Sequence, residues 1–174
     1  ITGAQLEAAI TPKTRMLVLC SPSNPTGSVY AKEELKALVD VLVKYPNIYV
    51  IADEIYEHIN YIGHHESIAQ FDEIHDRVVI VNGVSKAYAM TGWRLGYACA
   101  PKEIIKQMTK IHQFAIMCAP TTSQYAAVEA LRNGDTGAFL RLVTESGNSS
   151  FKYLQNVFYQ LFNLKDYEQS IISE

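Results

Sequence analysis

The sequence has little cysteine and no long hydrophobic run. Its three cysteines, Cys20, Cys99 and Cys118, lie far apart and form no C-x-x-C pair, which argues against a disulfide framework and a thiolate zinc site. Each lies in an apolar stretch, so we expect buried free thiols and a reducing, cytoplasmic location. No apolar run reaches the length of a membrane span, and we expect neither a membrane segment nor a signal peptide.

The chain also lacks a strong charge of either sign. Its 174 residues include 15 Lys or Arg and 18 Asp or Glu, which gives a net charge of −3 at pH 7. Without a basic stripe or an acidic tail, no nucleic-acid partner is expected. Hydrophobic residues make up 48% of the chain, enough for a globular domain with a sizeable core. The opening Ile1-Thr2-Gly3 lacks a Met, and we expect the chain to be a piece of something longer.

Short apolar runs alternate with amphipathic segments along the chain. Residues 16–20 predict a strand covered on both faces, and residues 48–52 and 77–82 predict two further strands. Residues 31–44 predict an amphipathic helix. This alternation indicates an α/β fold with a largely parallel sheet. A further strand is predicted at 94–100, and further helices at 4–10, 101–114 and 120–132.

Unusual polar residues follow the ends of the predicted strands. Asn24 comes after the first strand, Asp53 and Tyr56 after the second, and Ser85 and Lys86 after the third. In parallel α/β sheets, ligands bind outside the carboxyl ends of the strands. We therefore expect these side chains to contribute to one site.

The most informative motif is GVSKAYAMTGWRLGY at residues 83–97. A lysine directly after a buried strand is costly unless its charge is used or removed, and a desolvated amine is the nucleophile that attacks an aldehyde. Arg94 carries a guanidinium, the natural partner of a phosphate, and Ser85 adds a hydroxyl donor. A lone strand-end lysine would be read as a solvated loop residue. The Gly, Trp and Arg that flank Lys86 favour a functional site instead.

Two further motifs are ADEIY at residues 52–56 and SPSNPTG at residues 21–27. A carboxylate at the ligand edge of a sheet can pair with a protonated pyridine nitrogen, and Tyr56 can reach the same side. The prolines stiffen the second motif, and Gly27 permits its tight turn. Taken alone, the first motif could be a strand-capping Asp53 with a packed tyrosine, and the second a plain turn.

Together these three motifs, in this order, resemble those of the class I/II aminotransferases, the fold-type-I pyridoxal-phosphate enzymes. The resemblance runs from residue 1 to about residue 134. It implies an incomplete three-layer αβα large domain, whose mainly parallel sheet has one antiparallel strand at 94–100. Residues 1–134 would form the partial cofactor-binding core, and residues 135–174 a helical tail that does not match the family's small domain.

The resemblance implies pyridoxal 5'-phosphate as the cofactor and three catalytic residues. Lys86 would form the Schiff base, the internal aldimine, and then move a proton between the substrate α-carbon and the cofactor. Asp53 would keep the pyridine nitrogen protonated, and Tyr56 would donate to the ring oxygen. The implied cofactor-binding set comprises these three residues and Asn24, Ser85 and Arg94.

The implied reaction is transamination of an L-amino acid of the aspartate, alanine or aromatic class with a 2-oxo acid, by a ping-pong route. A homodimer is implied for the full-length parent. This chain alone is expected to be inactive, because the family's upstream phosphate loop and its downstream carboxylate-binding arginine do not appear in it. Two alternatives stay open: a lyase or synthase on the same fold, and a non-catalytic, truncated cofactor-binding module.

A polar segment after the second strand contains several potential metal ligands. Their spacing matches no zinc pattern, so we expect a solvated loop and no metal site. These residues are Glu57, His58, His64, His65 and Glu66.

Overall fold

A four-stranded mixed sheet organises residues 1–135, the part of the chain that the computed structural model describes. Strands β1 (Met16–Cys20), β2 (Tyr49–Asp53) and β3 (Val78–Gly83) are parallel neighbours in that order. Strand β4 (Gly96–Cys99) pairs with β3 in the antiparallel sense. The α/β fold, the four strands and the antiparallel direction of the last one are therefore as the sequence predicted.

The described residues form one compact unit. The predicted helical tail lies outside them except for its first residue, so the division into a core and a tail stays a prediction. Among residues 1–135, no helix combines the length and the apolar character needed to cross a membrane.

Two helices precede the second strand, α1 (Gly3–Ala9) and α2 (Lys32–Val43). Helix α1 begins with a capping box, in which the Thr2 hydroxyl accepts the Gln5 N–H at 3.2 Å and the Gln5 amide oxygen accepts the Thr2 N–H at 2.9 Å. Helix α2 begins with Glu33 and Glu34, whose charges suit the positive end of the helix dipole. Its bounds lie within one residue of those predicted from its apolar spacing.

Two later helices, α3 (Lys102–Ala115) and α4 (Thr121–Asn133), follow the sheet. Each begins directly after a proline, Pro101 or Pro120, which has no backbone N–H and is therefore tolerated at a helix start. Both helices match the segments that the sequence predicted. Between β2 and β4 the chain also makes three short 3₁₀ turns, at Ile68–Gln70, Asp72–Arg77 and Thr91–Trp93.

The hydrophobic core lies on one face of the sheet. It joins the buried side of α2 to alternate residues of the three parallel strands and to the first two 3₁₀ turns. Arg77 links the second 3₁₀ turn to the end of α2 and the residues after it, because its guanidinium donates to the carbonyl oxygens of Leu42, at 3.0 Å, and Pro46, at 3.3 Å. The buried core residues of the strands are Leu19, Val50, Ala52 and Val78.

The opposite face of the sheet is exposed at β1 and at the start of β2 in the described residues, although Val79 of β3 is buried on it. Met16 is 50% exposed, Val18 67% and Tyr49 47%. The prediction that the first strand is covered on both faces is therefore wrong here, because α2 and the 3₁₀ turns pack on the other face only. The prediction of three buried thiols is also wrong: all three cysteines are free, but Cys99 and Cys118 are exposed.

The core assignment predicts a large loss of stability for Leu38→Ala. Leu38 is 0% exposed, so truncation removes buried methyl groups and leaves a cavity. We expect the free energy of unfolding, measured by urea denaturation, to fall by about 2–5 kcal/mol. Leu131→Ala is the matched control, since Leu131 is a helical leucine that is 52% exposed; its expected effect is about 0.5 kcal/mol or less. Equal losses in both variants would contradict the placement of the core.

Candidate active site

The strand register brings three loops to one edge of the sheet. Cys20 of β1 lies beside Asp53 of β2, and Asp53 lies beside Val81 of β3. Because the three strands are parallel, the loops that follow them leave from the same carboxyl edge. These loops carry Asn24, Tyr56 and Lys86, three of the residues singled out in the sequence.

Tyr56 is in contact with residues from both of the other loops. The Nζ atom of Lys86 lies over its ring, 5.4 Å from the ring centroid, which is within the range of a cation–π contact. The Asn24 amide nitrogen donates to the Tyr56 hydroxyl at 3.2 Å. The structure thus brings together one side chain from each loop, with Tyr56 in the middle.

Asp53 is held in place by backbone contacts on both sides. Its carbonyl oxygen accepts the Ser21 N–H at 3.1 Å, and the next residue, Glu54, donates its N–H to the Val81 carbonyl at 2.9 Å. The Oδ1 atom of Asp53 accepts the Ile55 N–H at 3.2 Å. Within the described part of the chain, Oδ2 accepts no protein hydrogen bond, so one carboxylate oxygen is available to a ligand.

Two hydrogen bonds connect Ser85, the residue before Lys86, to Arg94 within the loop after β3. The Thr91 hydroxyl donates to the Ser85 carbonyl oxygen at 2.9 Å, and the Arg94 guanidinium donates to the Thr91 carbonyl oxygen at 3.0 Å. Arg94 and Ala89 both adopt a φ of 53°, in the left-handed region that costs a residue other than glycine about 1–2 kcal/mol. The loop therefore keeps a strained shape that brings Arg94 back towards Ser85.

Helix α4 packs against this loop. Val84 and Met90 are buried against Ala127 of α4 in a small second hydrophobic cluster. The Ser123 hydroxyl, also on α4, donates to the Trp93 carbonyl oxygen at 2.7 Å. The loop that carries Lys86 is thus anchored at its start, middle and end.

The site is open on its outer side. Asn24 and Arg94 are exposed, whereas Asp53, Tyr56 and Lys86 are half-buried. A pocket of about 310 Å³ adjoins Asn24 and Tyr56. Its remaining walls are largely apolar and include Pro22, Val29, Ile59 and Tyr61.

Two tyrosines, Tyr88 in the Lys86 loop and Tyr97 on β4, have raised pKa values. Burial, with a smaller contribution from the Glu57 carboxylate, raises the pKa of Tyr88 above its ordinary value. Burial and then Glu57 likewise raise the pKa of Tyr97 on β4. Both phenols therefore stay protonated to a higher pH than a free tyrosine and remain hydrogen-bond donors.

The structure also shows a polar cluster around Glu54, a residue that the sequence did not indicate. Glu54 is buried, its Oε1 accepts the Ser67 hydroxyl at 2.6 Å, and its Oε2 lies 3.0 Å from Nε2 of His65. The prediction of a solvated loop is wrong for His65, whose side chain is only 12% exposed. The same prediction agrees with His64, whose side chain is exposed and pairs with Glu66 at 2.6 Å.

Among the described residues, potential metal-ligand atoms of Glu54, Glu57 and His65 lie within 4.8 Å of one another. Two of these residues belong to the segment that the sequence singled out, and the third, Glu54, was missed. The absence of a resident metal stays a prediction. The one available signal for Glu54 was its position directly after Asp53, because no spacing rule links it to a histidine eleven residues later.

Comparison with known proteins identifies the family. The model of the family "Aminotransferase class I and II" matches residues 1–163. The chain therefore belongs to the class I and II aminotransferases. The match continues well past residue 134, where the resemblance read from the motifs ended, so that estimate of its extent was too short.

Two relatives and one solved structure illustrate the similarity. The aspartate aminotransferase of Rhizobium meliloti (strain 1021) is 47% identical over 148 residues, which is 84% of this chain and 36% of that protein. The aspartate/prephenate aminotransferase of Thermus thermophilus is 45% identical over 143 residues, 82% of this chain and 36% of that protein. The crystal structure of the Rhizobium meliloti aspartate aminotransferase superposes with a TM-score of 0.78 at 47% identity, over 84% of this chain and 36% of that one. The chain thus spans little more than a third of the length of these proteins.

The charge of Glu57 predicts a pKa change in Glu57→Gln. A nearby carboxylate opposes ionisation of the Tyr97 phenol, so its removal should lower the pKa of Tyr97 towards the ordinary tyrosine value. The raised pKa favours the folded state below the ordinary tyrosine pKa, and this contribution is lost as the pH rises through the folded-state value. The measurement is an NMR titration of the Tyr97 ring. Glu33→Gln on α2 is the control, and an unchanged Tyr97 pKa in Glu57→Gln would contradict the electrostatic assignment.

Proposed function

We propose that this chain is the pyridoxal-phosphate-binding core of an aminotransferase and that Lys86 bonds covalently to the cofactor aldehyde. The observation that carries this proposal is the meeting of three loops at Tyr56. There the Lys86 amine lies 5.4 Å from the centre of the Tyr56 ring, and Asn24 donates to the Tyr56 hydroxyl at 3.2 Å. Membership of the aminotransferase family supports the same conclusion.

The donor set fits the cofactor group by group. The Lys86 amine suits an aldehyde, and the free oxygen of Asp53 suits a protonated pyridine nitrogen. The Tyr56 hydroxyl and the Asn24 amide, which lie 3.2 Å apart, could both donate to the ring oxygen. An exposed guanidinium, that of Arg94, suits the phosphate. When bound, pyridoxal phosphate supplies an electron sink for the charge released at the substrate α-carbon.

The chain's own residues then have distinct tasks. With the cofactor bound, the Lys86 amine would take the proton from the substrate α-carbon and deliver it to the carbon of the cofactor's aldehyde group. The Lys86 Nζ lies over the Tyr56 ring, so the amine would meet the cofactor on the side where Tyr56 lies. The Asp53 carboxylate would hold a proton on the pyridine nitrogen. Ser85, joined to Arg94 through Thr91, helps to bind the phosphate.

The proposed reaction is ping-pong transamination between an L-amino acid and a 2-oxo acid. Of the substrate classes that the sequence suggested, aspartate is favoured, because the relatives described above are named aspartate and aspartate/prephenate aminotransferases. Those names also favour transamination over a lyase or a synthase. We further propose that the chain alone binds the cofactor without turnover, because exposed Asn24 and Arg94 leave water free to enter the site.

Two wider properties are part of the proposal. A cytoplasmic location is supported by the three free cysteines. A homodimer of the full-length protein is supported by exposed apolar side chains on and after α3, where Ile111 is 69% exposed, Phe114 88% and Met117 79%. Exposed large apolar side chains close together in the chain are consistent with an interface.

Covalent labelling tests the central assignment. Incubation of the purified chain with pyridoxal phosphate should produce a visible absorption band, and borohydride reduction should fix the label on the peptide that contains Lys86. Lys86→Ala should abolish both signals, whereas Lys110→Ala, a matched lysine on α3, should keep them. A label on another lysine, or a band that survives Lys86→Ala, would contradict the assignment.

The same preparation tests whether the chain is a complete catalyst. Aspartate, alanine or tyrosine is added with 2-oxoglutarate, and formation of the new 2-oxo acid is measured. We expect no catalytic turnover above a Lys86→Ala blank. Turnover by the 174-residue chain alone would show that its open site is sufficient and would contradict this part of the proposal.

The apolar surface after β4 predicts an effect of Phe114→Lys on association. Phe114 is 88% exposed in the single chain but would be buried in the dimer interface, where a lysine would bury a charge. We expect Phe114→Lys to weaken self-association about tenfold or more, measured by analytical ultracentrifugation over a range of concentrations. Ile62→Lys, which changes an exposed apolar residue of the loop after β2, should leave association unchanged. A full-length wild-type protein that stays monomeric at every concentration would contradict the homodimer.

A further inference from the structure

Glu54 directly follows Asp53, and its carboxylate is buried: the residue is only 5% exposed. A buried carboxylate is costly unless its oxygens are partnered. Its Oε1 accepts the Ser67 hydroxyl at 2.6 Å, and its Oε2 lies 3.0 Å from Nε2 of His65. Within residues 1–135 the His65 contact does not have hydrogen-bond geometry, whereas the Ser67 hydrogen bond fixes the orientation of the carboxylate.

The backbone of Glu54 begins the turn that carries Tyr56. Its N–H donates to the Val81 carbonyl of β3 at 2.9 Å, and its carbonyl oxygen accepts the Glu57 N–H at 2.9 Å. One step further on, the Tyr56 carbonyl oxygen accepts the Ile59 N–H at 2.8 Å. Any displacement of Glu54 is therefore transmitted to Tyr56.

The partners of the Glu54 carboxylate belong to a segment that is anchored in the core. Ser67 caps the 3₁₀ turn Ile68–Gln70, because its hydroxyl oxygen accepts the Ala69 N–H at 3.2 Å. Ile68 is 1% exposed and belongs to the main hydrophobic cluster. The Glu54 side chain thus ties the turn to the core by a route that is independent of its backbone hydrogen bonds.

A second carboxylate lies close to this cluster. An oxygen of Glu57 is within 4.8 Å of ligand atoms of both Glu54 and His65. The Glu54 and Glu57 carboxylates and the His65 imidazole therefore lie close together. Among the described residues, His58 contacts Glu57 at 3.0 Å, and burial together with the Glu57 charge raises the pKa of Tyr88 and Tyr97.

We infer that Glu54, supported by Ser67 and His65, is a positioning residue that fixes Asp53 and Tyr56 in the orientation that the cofactor requires. This inference rests on the proposed function, since it takes Asp53 and Tyr56 as cofactor-binding residues. Loss of the side-chain tie leaves the backbone hydrogen bonds of Glu54 and the buried Ile68 in place. It should therefore loosen the turn without unfolding the chain.

The first test uses the cofactor-free chain and native-state hydrogen exchange of the Glu57 and Ile59 amides. Ser67→Ala and Glu54→Gln should increase their exchange rates about tenfold, because each variant weakens a hydrogen bond to a charged group. Ser67→Thr keeps the hydroxyl and should restore slow exchange. Glu66→Gln is the matched control, since Glu66 pairs with exposed His64 in the same segment.

The second test adds pyridoxal phosphate. In Ser67→Ala and Glu54→Gln we expect about tenfold weaker binding and a changed pH dependence of the visible band of the Lys86-bound cofactor. Ser67→Thr and Glu66→Gln should behave as the wild type. A role in stability alone would lower the unfolding midpoint and leave the pH dependence of the band unchanged, so that result would overturn the inference.

The two tests separate this inference from the proposed function. If the wild-type chain does not bond pyridoxal phosphate at Lys86, the proposed function fails, and the exchange data still show whether Glu54 holds the turn. Unchanged exchange in both Ser67→Ala and Glu54→Gln would overturn the positioning role. Faster exchange with unchanged binding and an unchanged band would overturn its connection to the cofactor.

Discussion

In-register pairing of three parallel strands is the constraint on which the candidate site depends. Asp53 lies between Cys20 and Val81 at the carboxyl edge of the sheet, so the three loops that follow start from fixed, neighbouring points. A slip of β2 by one residue would reverse the faces of all its side chains and direct Asp53 towards the core. The hydrophobic pattern that buries Val50 and Ala52 therefore also determines that Asp53 points away from the core at the carboxyl edge of the sheet.

Tyr56 turns this common edge into a set of contacts. Its ring faces the Lys86 amine and its hydroxyl accepts from Asn24, so one aromatic side chain relates the three loops to each other. Its own position depends on the turn that begins at Glu54, whose buried carboxylate is held by Ser67. A chain of contacts thus runs from the hydrophobic core to the amine that we propose as the reactive group.

Local patterns in the sequence predicted the strands, the helices and the strand-end positions of Asp53 and Lys86, because periodicity and turn residues report local structure directly. They could not predict the contact of Glu54 with His65, which depends on how the loop between β2 and β3 folds back. They also misjudged Val18, which is 67% exposed, since an apolar run shows that a residue can be buried but not which element covers it. The exposure of Cys99 has the same cause.

The most direct test of the central claim is a crystal structure of the chain determined with pyridoxal phosphate. We predict continuous electron density from Nζ of Lys86 to the cofactor. The pyridine nitrogen should face Asp53, the ring oxygen should accept hydrogen bonds from Tyr56 and Asn24, and the phosphate should lie near Arg94. Density for the cofactor on a different lysine, or a ring turned so that its nitrogen faces away from Asp53, would contradict the claim.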